Sequence, residues 1–268
     1  MDQQRIPPRM DLPALAAFAA IVVGGLANIG FIGIFQNHQM AAWITTLIAT
    51  IVLTACIGKA INHRWDGVII NGRNMLSLSK LQMVAWTILI LSTLITAAAH
   101  NIHSGNPVNA LDIKIDEHLL IVMGISTTSL VASPAVLSLK GGNDGQPAVA
   151  VNDAPSDASW LDIFRSDMAD TADAPDLSKI QQFLVTLVIL SAYAVMIGKT
   201  FASFAECRSH ACLFSTFPPL SEQIVWLIGI SHAGYIAYKA APKPPAASTV
   251  QAAAATQSDS QSDDGAVG

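Results

Sequence analysis

Six long apolar runs, none with an acidic or basic side chain at its centre, constrain this chain more than any other feature. They cover residues 12–35, 41–60, 79–99, 118–139, 178–199 and 220–240. Twenty helical residues rise about 30 Å, the thickness of a bilayer's hydrocarbon core. Lipid offers no water to backbone N–H and C=O groups, so a spanning segment must satisfy them internally, as a helix does. No alternating pattern of the barrel type is present. The expected fold is all-α: a polytopic membrane helical bundle with six transmembrane helices. Charged residues make up 12% of the chain, about half the soluble average. A disordered chain, a coiled coil and a nucleic-acid binder with a broad basic face are excluded. The first run follows Arg5 and Arg9 but is too long for a cleaved signal, so it reads as an uncleaved helix.

Lys and Arg set the expected orientation. With six spans, one side carries eleven: Arg5, Arg9, Lys59, Arg64, Arg73, Lys80, Lys140, Arg165, Lys179, Lys239 and Lys243. The other carries three: Lys114, Lys199 and Arg208. By the positive-inside rule both termini and the loops at 61–78 and 140–177 are cytoplasmic. The expected organisation is a cytoplasmic N-terminus (1–11), a first hairpin (12–60), a cytoplasmic loop (61–78) and a hairpin A (79–139). An acidic linker (140–177), a hairpin B (178–240) and a disordered cytoplasmic tail (241–268) follow.

The two later hairpins read as a parallel duplication. Leu78-Ser-Lys-Leu-Gln82 recurs as Leu177-Ser-Lys-Ile-Gln181, and eight of fifteen paired positions are identical. Gly124-Ile-Ser126 recurs as Gly229-Ile-Ser231. Ser79 with Gln82, and Ser178 with Gln181, have capping-box spacing. Lys80 and Lys179 then read as headgroup anchors. A parallel repeat differs from the inverted type common in secondary transporters. These motifs resemble those of uncharacterised bacterial multi-pass inner-membrane proteins. The resemblance implies a bacterial inner membrane and carries over no activity and no site residue.

Small and hydroxyl side chains mark helix contacts. Asn28 sits among Gly24, Gly25, Gly30 and Gly33, while Ser126, Ser129 and Ser133 share a face. His232 is the one ionisable group at depth, suited to a hydrogen bond with a neighbouring Ser or Tyr. Pro134 is expected to kink its helix. His100 and His103 stand at i, i+3, near enough to share a metal if they share a face. Cys207, His210 and Cys212 form a second candidate metal set. Cys207 and Cys212 are alternatively a disulfide on the oxidising side. The linker holds eight Asp and one Arg, is expected to be mobile in large part, and carries Trp160, Phe164 and Met168 at the spacing of a short amphipathic helix.

The sequence contains no P-loop, dinucleotide fingerprint, HExxH, GxSxG or kinase signature. No catalytic residue is assigned and no cofactor is demanded. The reading that follows is a noncatalytic membrane scaffold, anchor or subunit, with the bilayer and other membrane subunits or self-association as partners and no nucleic acid. The alternatives are a channel for a small solute and a redox or metal-binding subunit.

Overall fold

The computed structural model describes residues 12–29, 38–140, 149–204 and 212–241. Among them six α-helices follow one another: α1 (Leu12–Ile29), α2 (Gln39–Asn62), α3 (Leu78–His103), α4 (Glu117–Lys140), α5 (Leu177–Ser203) and α6 (Glu222–Ala240). Among the described residues the remaining regular structure is short 3-10 turns and isolated β-bridges.

Among the described residues four helices are long and apolar enough to cross a membrane: α2, α3, α4 as far as Ser138, and α5. The expectation of six transmembrane helices is therefore corrected to four. Among the described residues the apolar helix within α1 is Ala16–Gly25, shorter than a span. The sequence of α6 is diluted by Glu222, Gln223, Ser231, His232 and Lys239, three of which are buried in the bundle.

Helix α3 lies centrally, against α2, α4 and α5, while α6 packs on α4 and α5. The main core joins Trp43, Trp86, Leu119, Tyr193, Ile197, Phe201 and Ile228 with Phe214 and Phe217 of the α5–α6 connection. Trp43 stacks on Phe201, and Phe201 on Phe214. Polar ties cross the interior: Trp43 Nε1 donates to Thr93 Oγ1 at 3.2 Å, and Thr96 donates to Thr46 at 3.3 Å. Most other hydroxyls on α2 return to their own helix, as Thr45, Thr50 and Thr54 do.

Loops that the Lys/Arg partition groups together meet in space. At one end Arg64 donates to the Ser156 carbonyl, and Asn74 and Asn152 exchange side chain–carbonyl bonds at 2.9 Å. At the other end Asn101 donates to the Phe214 carbonyl and accepts from its N–H, and Lys114 pairs with Ser215 and Phe217 through the backbone. Exposed Trp65 and Trp160 ring the first end, with exposed Trp226 at the start of α6. Such rings suit a membrane–water boundary.

The acidic linker is the largest departure from expectation. Residues 149–176 pack tightly, with Asp162, Ile163, Ser166, Asp167, Met168 and Asp176 buried. The expected amphipathic helix is replaced by 3-10 turns at Pro155–Asp157, Trp160–Ile163 and Ala169–Thr171. Its stripe divides: Trp160 is exposed while Met168 is 2% exposed. Residues 1–11, 141–148 and 242–268 lie outside the described residues, as does the side chain of Asn28.

One backbone contact locks the end of α2 to the loop beyond it. A Cβ on Gly58 would stand 2.8 Å from the Gly67 nitrogen, and a Cβ on Gly67 would collide with the Gly58 carbonyl. Backbone cannot yield as a flexible side chain does, so Gly67→Ala is expected to destabilise the fold by about 1–3 kcal/mol. Gly124→Ala, which meets nothing within 4 Å, should change little. Thermal unfolding of both variants in neutral detergent checks this.

Candidate functional site

Three cations from distant parts of the chain converge on one carboxylate. Arg73 Nη2 lies 2.6 Å from Asp167 Oδ1, Lys179 Nζ lies 3.2 Å from the same oxygen, and Lys239 Nζ lies 2.9 Å from Oδ2. The side chains of Asp167, Lys179 and Lys239 are 5%, 5% and 6% exposed, and that of Arg73 is 19% exposed.

Local geometry positions each member. Arg73 rides a tight turn closed by the Ile70–Leu76 bridge, in which Asn71 Oδ1 accepts from the N–H of Arg73 and of Met75. Asn74 adopts φ 56° there, a left-handed conformation that Asn tolerates better than most residues. Asp167 sits between the Val149–Met168 and Arg165–Pro175 bridges. Lys179 lies in the first turn of α5, beside the helix's Asp176 cap. Lys239 ends α6, where a cation complements the helix dipole.

Burial raises the Asp167 carboxyl. The attraction of Lys239, Lys179 and Arg73, with the Arg73 hydrogen bond, outweighs that and holds it well below the ordinary carboxylate range. Lys179 also donates to the carbonyls of Arg165 and Asp162, and Lys239 to Ser133 Oγ and, at 2.8 Å, to Tyr235 OH.

From this cluster a polar seam runs inward between α4 and α6. Ser133 and Tyr235 hydroxyls are 3.1 Å apart, and Ser129 Oγ is hydrogen-bonded to His232 Nδ1 at 3.1 Å. Ser129 and Ser133 of α4 thus face His232 and Tyr235 of α6 along this seam. Beyond it, Ser126 Oγ, Ser231 Oγ and His232 Nε2 are buried without a hydrogen-bond partner among the described residues. A pocket of about 850 Å³ opens beside the cluster, lined by its four charged residues, Lys80, Ser133 and Tyr235, with an apolar wall from α4.

The repeated motif serves its two helices differently. The residue capping α3 is Ser77, whose side chain accepts from the Lys80 N–H, and Asp176 caps α5. Ser79 is buried and its hydroxyl has no hydrogen-bond partner among the described residues, while Ser178 donates to Asp176 at 2.6 Å. The capping role read for Ser79 and Ser178 moves in both helices to the residue two places earlier, Ser77 and Asp176, because those side chains stand at the helix mouth. Gln82 donates to Thr186 Oγ1 at 2.7 Å and accepts from Gln182 at 2.9 Å. Gln181, its expected counterpart, is exposed.

At the opposite end His100 is buried, stacked on Phe204, with Nε2 2.8 Å from the Cys212 carbonyl. His103 is exposed, so the two rings do not share a face. Cys212 is disulfide-bonded, but Cys207 and His210 lie outside the described residues. Among the described residues no group of three His, Cys, Asp or Glu could hold a metal ion.

The sequence reading missed Asp167 altogether. A usable signal was the excess of Lys and Arg on one side, facing a linker whose acidic residues alternate with apolar ones. No family model, curated protein or solved structure matches this chain. The fold and this cluster define an all-helical membrane protein with several membrane-length apolar helices and no catalytic motif.

Asp167→Asn would leave Lys179 and Lys239 buried without their counter-charge, at an expected cost of about 3–5 kcal/mol. Denaturant unfolding in detergent measures it. The folded carboxyl titrates below its unfolded value of about 3.9, so its stabilisation is complete above that pH and is lost as pH falls through the folded value. Between pH 7 and 5 the difference between wild type and Asp167→Asn should therefore stay constant.

Proposed function

We propose that this chain is a noncatalytic integral membrane component, a scaffold, anchor or subunit of a larger assembly, held in a bacterial inner membrane with its basic end in the cytoplasm. The observation that supports the reading is a set of fixed polar ties among α2, α3 and α5. Trp43 with Thr93, Thr46 with Thr96, and Gln82 with Gln182 and Thr186 join helices in pairs. A pathway for a solute needs polar groups left available along its length. The outward faces are apolar: Ile44, Ile48 and Ile51 on α2, and Leu184, Val188 and Val195 on α5 are all exposed. They suit lipid or the helices of partner subunits. No observation favours a redox or metal-binding subunit.

Orientation is tested by single cysteines in a background lacking the native ones. Asp170→Cys should resist an impermeant thiol reagent in intact cells, and Asn109→Cys, in the α3–α4 connection, should react. The reverse pattern overturns the orientation.

The assembly reading is tested by affinity capture of the full chain in mild detergents. A stoichiometric membrane partner or a homo-oligomer is expected. A lone monodisperse monomer under every extraction condition overturns it.

A further inference from the structure

The pocket beside Asp167 combines charge and grease in a way the internal ion cluster does not use up. Its lining contains four cations, Arg73, Lys80, Lys179 and Lys239, and one carboxylate, Asp167. Two other buried carboxylates at this end face elsewhere: Asp162 accepts from the N–H groups of Leu76 and Ser159, and Asp176 caps α5. Neither lines the pocket.

Donor accounting separates the four cations. A lysine ammonium has three N–H donors and a guanidinium five. Lys179 commits its three to the carbonyls of Asp162 and Arg165 and to Asp167. Lys239 commits its three to Ser133, Tyr235 and Asp167. Lys80 makes one bond, to the Ile70 carbonyl at 2.6 Å, and among the described residues no carboxylate pairs with it. Arg73 uses Nη1 and Nη2, leaving its Nε–H uncommitted. The spare positive charge and the spare donors therefore coincide, on Lys80 and Arg73, beside the Ser77 hydroxyl.

The opposite wall is apolar and continuous with a membrane-length helix. Leu130, Val131, Pro134 and Leu137 of α4 line it, and Val131 is 66% exposed. Pro134 has no N–H to offer the Leu130 carbonyl one helical turn earlier. The cationic side lies at the start of α3 and the end of α6, the level at which lipid headgroups meet spanning helices.

We propose that this pocket binds an anionic amphiphile: a phosphate or carboxylate head held by Lys80 and Arg73, with its chain laid along Leu130, Val131, Pro134 and Leu137. A free anion alone would leave the apolar wall wet. A neutral or zwitterionic lipid would bring no net negative charge to Lys80, which has no carboxylate partner among the described residues, and Arg73 already shares Asp167 with two lysines. The inference requires only that the chain sits in a membrane, and it holds whether or not a protein partner copurifies.

The test is native mass spectrometry of the full chain, delipidated in neutral detergent and titrated separately with phosphatidylglycerol, phosphatidylcholine, laurate and inorganic phosphate. One phosphatidylglycerol should be retained at least tenfold more tightly than phosphatidylcholine. Comparable retention of laurate assigns the site to any acyl anion, and its absence assigns it to a phospholipid headgroup. Lys80→Gln and Val131→Trp should each weaken phosphatidylglycerol retention about tenfold. Lys80→Arg should restore it, and Lys199→Gln, outside the pocket, should leave it unchanged. Thermal unfolding verifies that each variant is folded. Equal retention of the two phospholipids overturns the proposal, as does phosphatidylglycerol retention indifferent to both Lys80→Gln and Val131→Trp. Saturation by inorganic phosphate with no amphiphile bound overturns it too. So does phosphatidylglycerol binding that appears only after removal of residues 242–268, which would give the pocket to the chain's own acidic segment.

Discussion

A single carboxylate, Asp167, ties together three parts of the chain that are distant in sequence. Arg73 precedes α3, Lys179 opens α5 and Lys239 closes α6, so the ion cluster fixes three helix ends relative to one another. Such an arrangement is costly to assemble, because four ionised groups must leave water, and costly to break, because any survivor is buried unpaired. Its value is therefore in specificity of arrangement more than in net stability. Slipping one of these helices along its axis would strand a cation against apolar neighbours.

The opposite end is closed by neutral groups instead. Asn101 clamps Phe214 with two bonds, Tyr193 OH donates to the Pro218 carbonyl at 2.9 Å, and the Phe201–Phe214–Phe217 aromatic set fills the space beneath. Here the α5–α6 connection is drawn into the core. Its phenylalanines are the anchors and its carbonyls are met by side chains from α3 and α5. The two ends thus solve the same problem, a loop that must seal a bundle, by different physics: charge where the loop is acidic, aromatic packing where it is not.

What the sequence disclosed follows from periodicity and sign. Apolar runs located the helices within a few residues, and the Lys/Arg partition grouped the loops that meet. Ser129 and His232 were readable because polar side chains in apolar helices need a partner. Asp167 was not readable, because composition described its surroundings as mobile while the decisive contacts lie 94 residues back to Arg73 and beyond the whole of α5 to Lys239. Gln82 meets Gln182 and not Gln181, the residue that aligns with it in the repeated motif. Sequence identity between two helices aligns their letters, whereas facing direction depends on how each helix is rotated in the bundle. Lys179 spends its three donors on Asp167 and two linker carbonyls, whereas its sequence counterpart Lys80 makes one bond, to the Ile70 carbonyl. Matching motifs therefore did not imply matching environments.

The composition of α6 follows from that interior work. His232 and Lys239 are 3% and 6% exposed, and they face α4, while Trp226, Leu227 and Ile230 on the outer side are strongly exposed. An average over the helix mixes these two faces and reports a helix of middling polarity. Read by face, the outer stripe carries Trp226, Leu227 and Ile230, and the other carries Ser231, His232, Tyr235 and Lys239, opposite Ser129 and Ser133. Lys239 could not be buried there without Asp167, and Asp167 could not be ionised at that depth without Lys239, Lys179 and Arg73. The seam between α4 and α6 is thus conditional on the linker: the acidic segment between the hairpins is what allows the last helix to turn a polar stripe into the bundle.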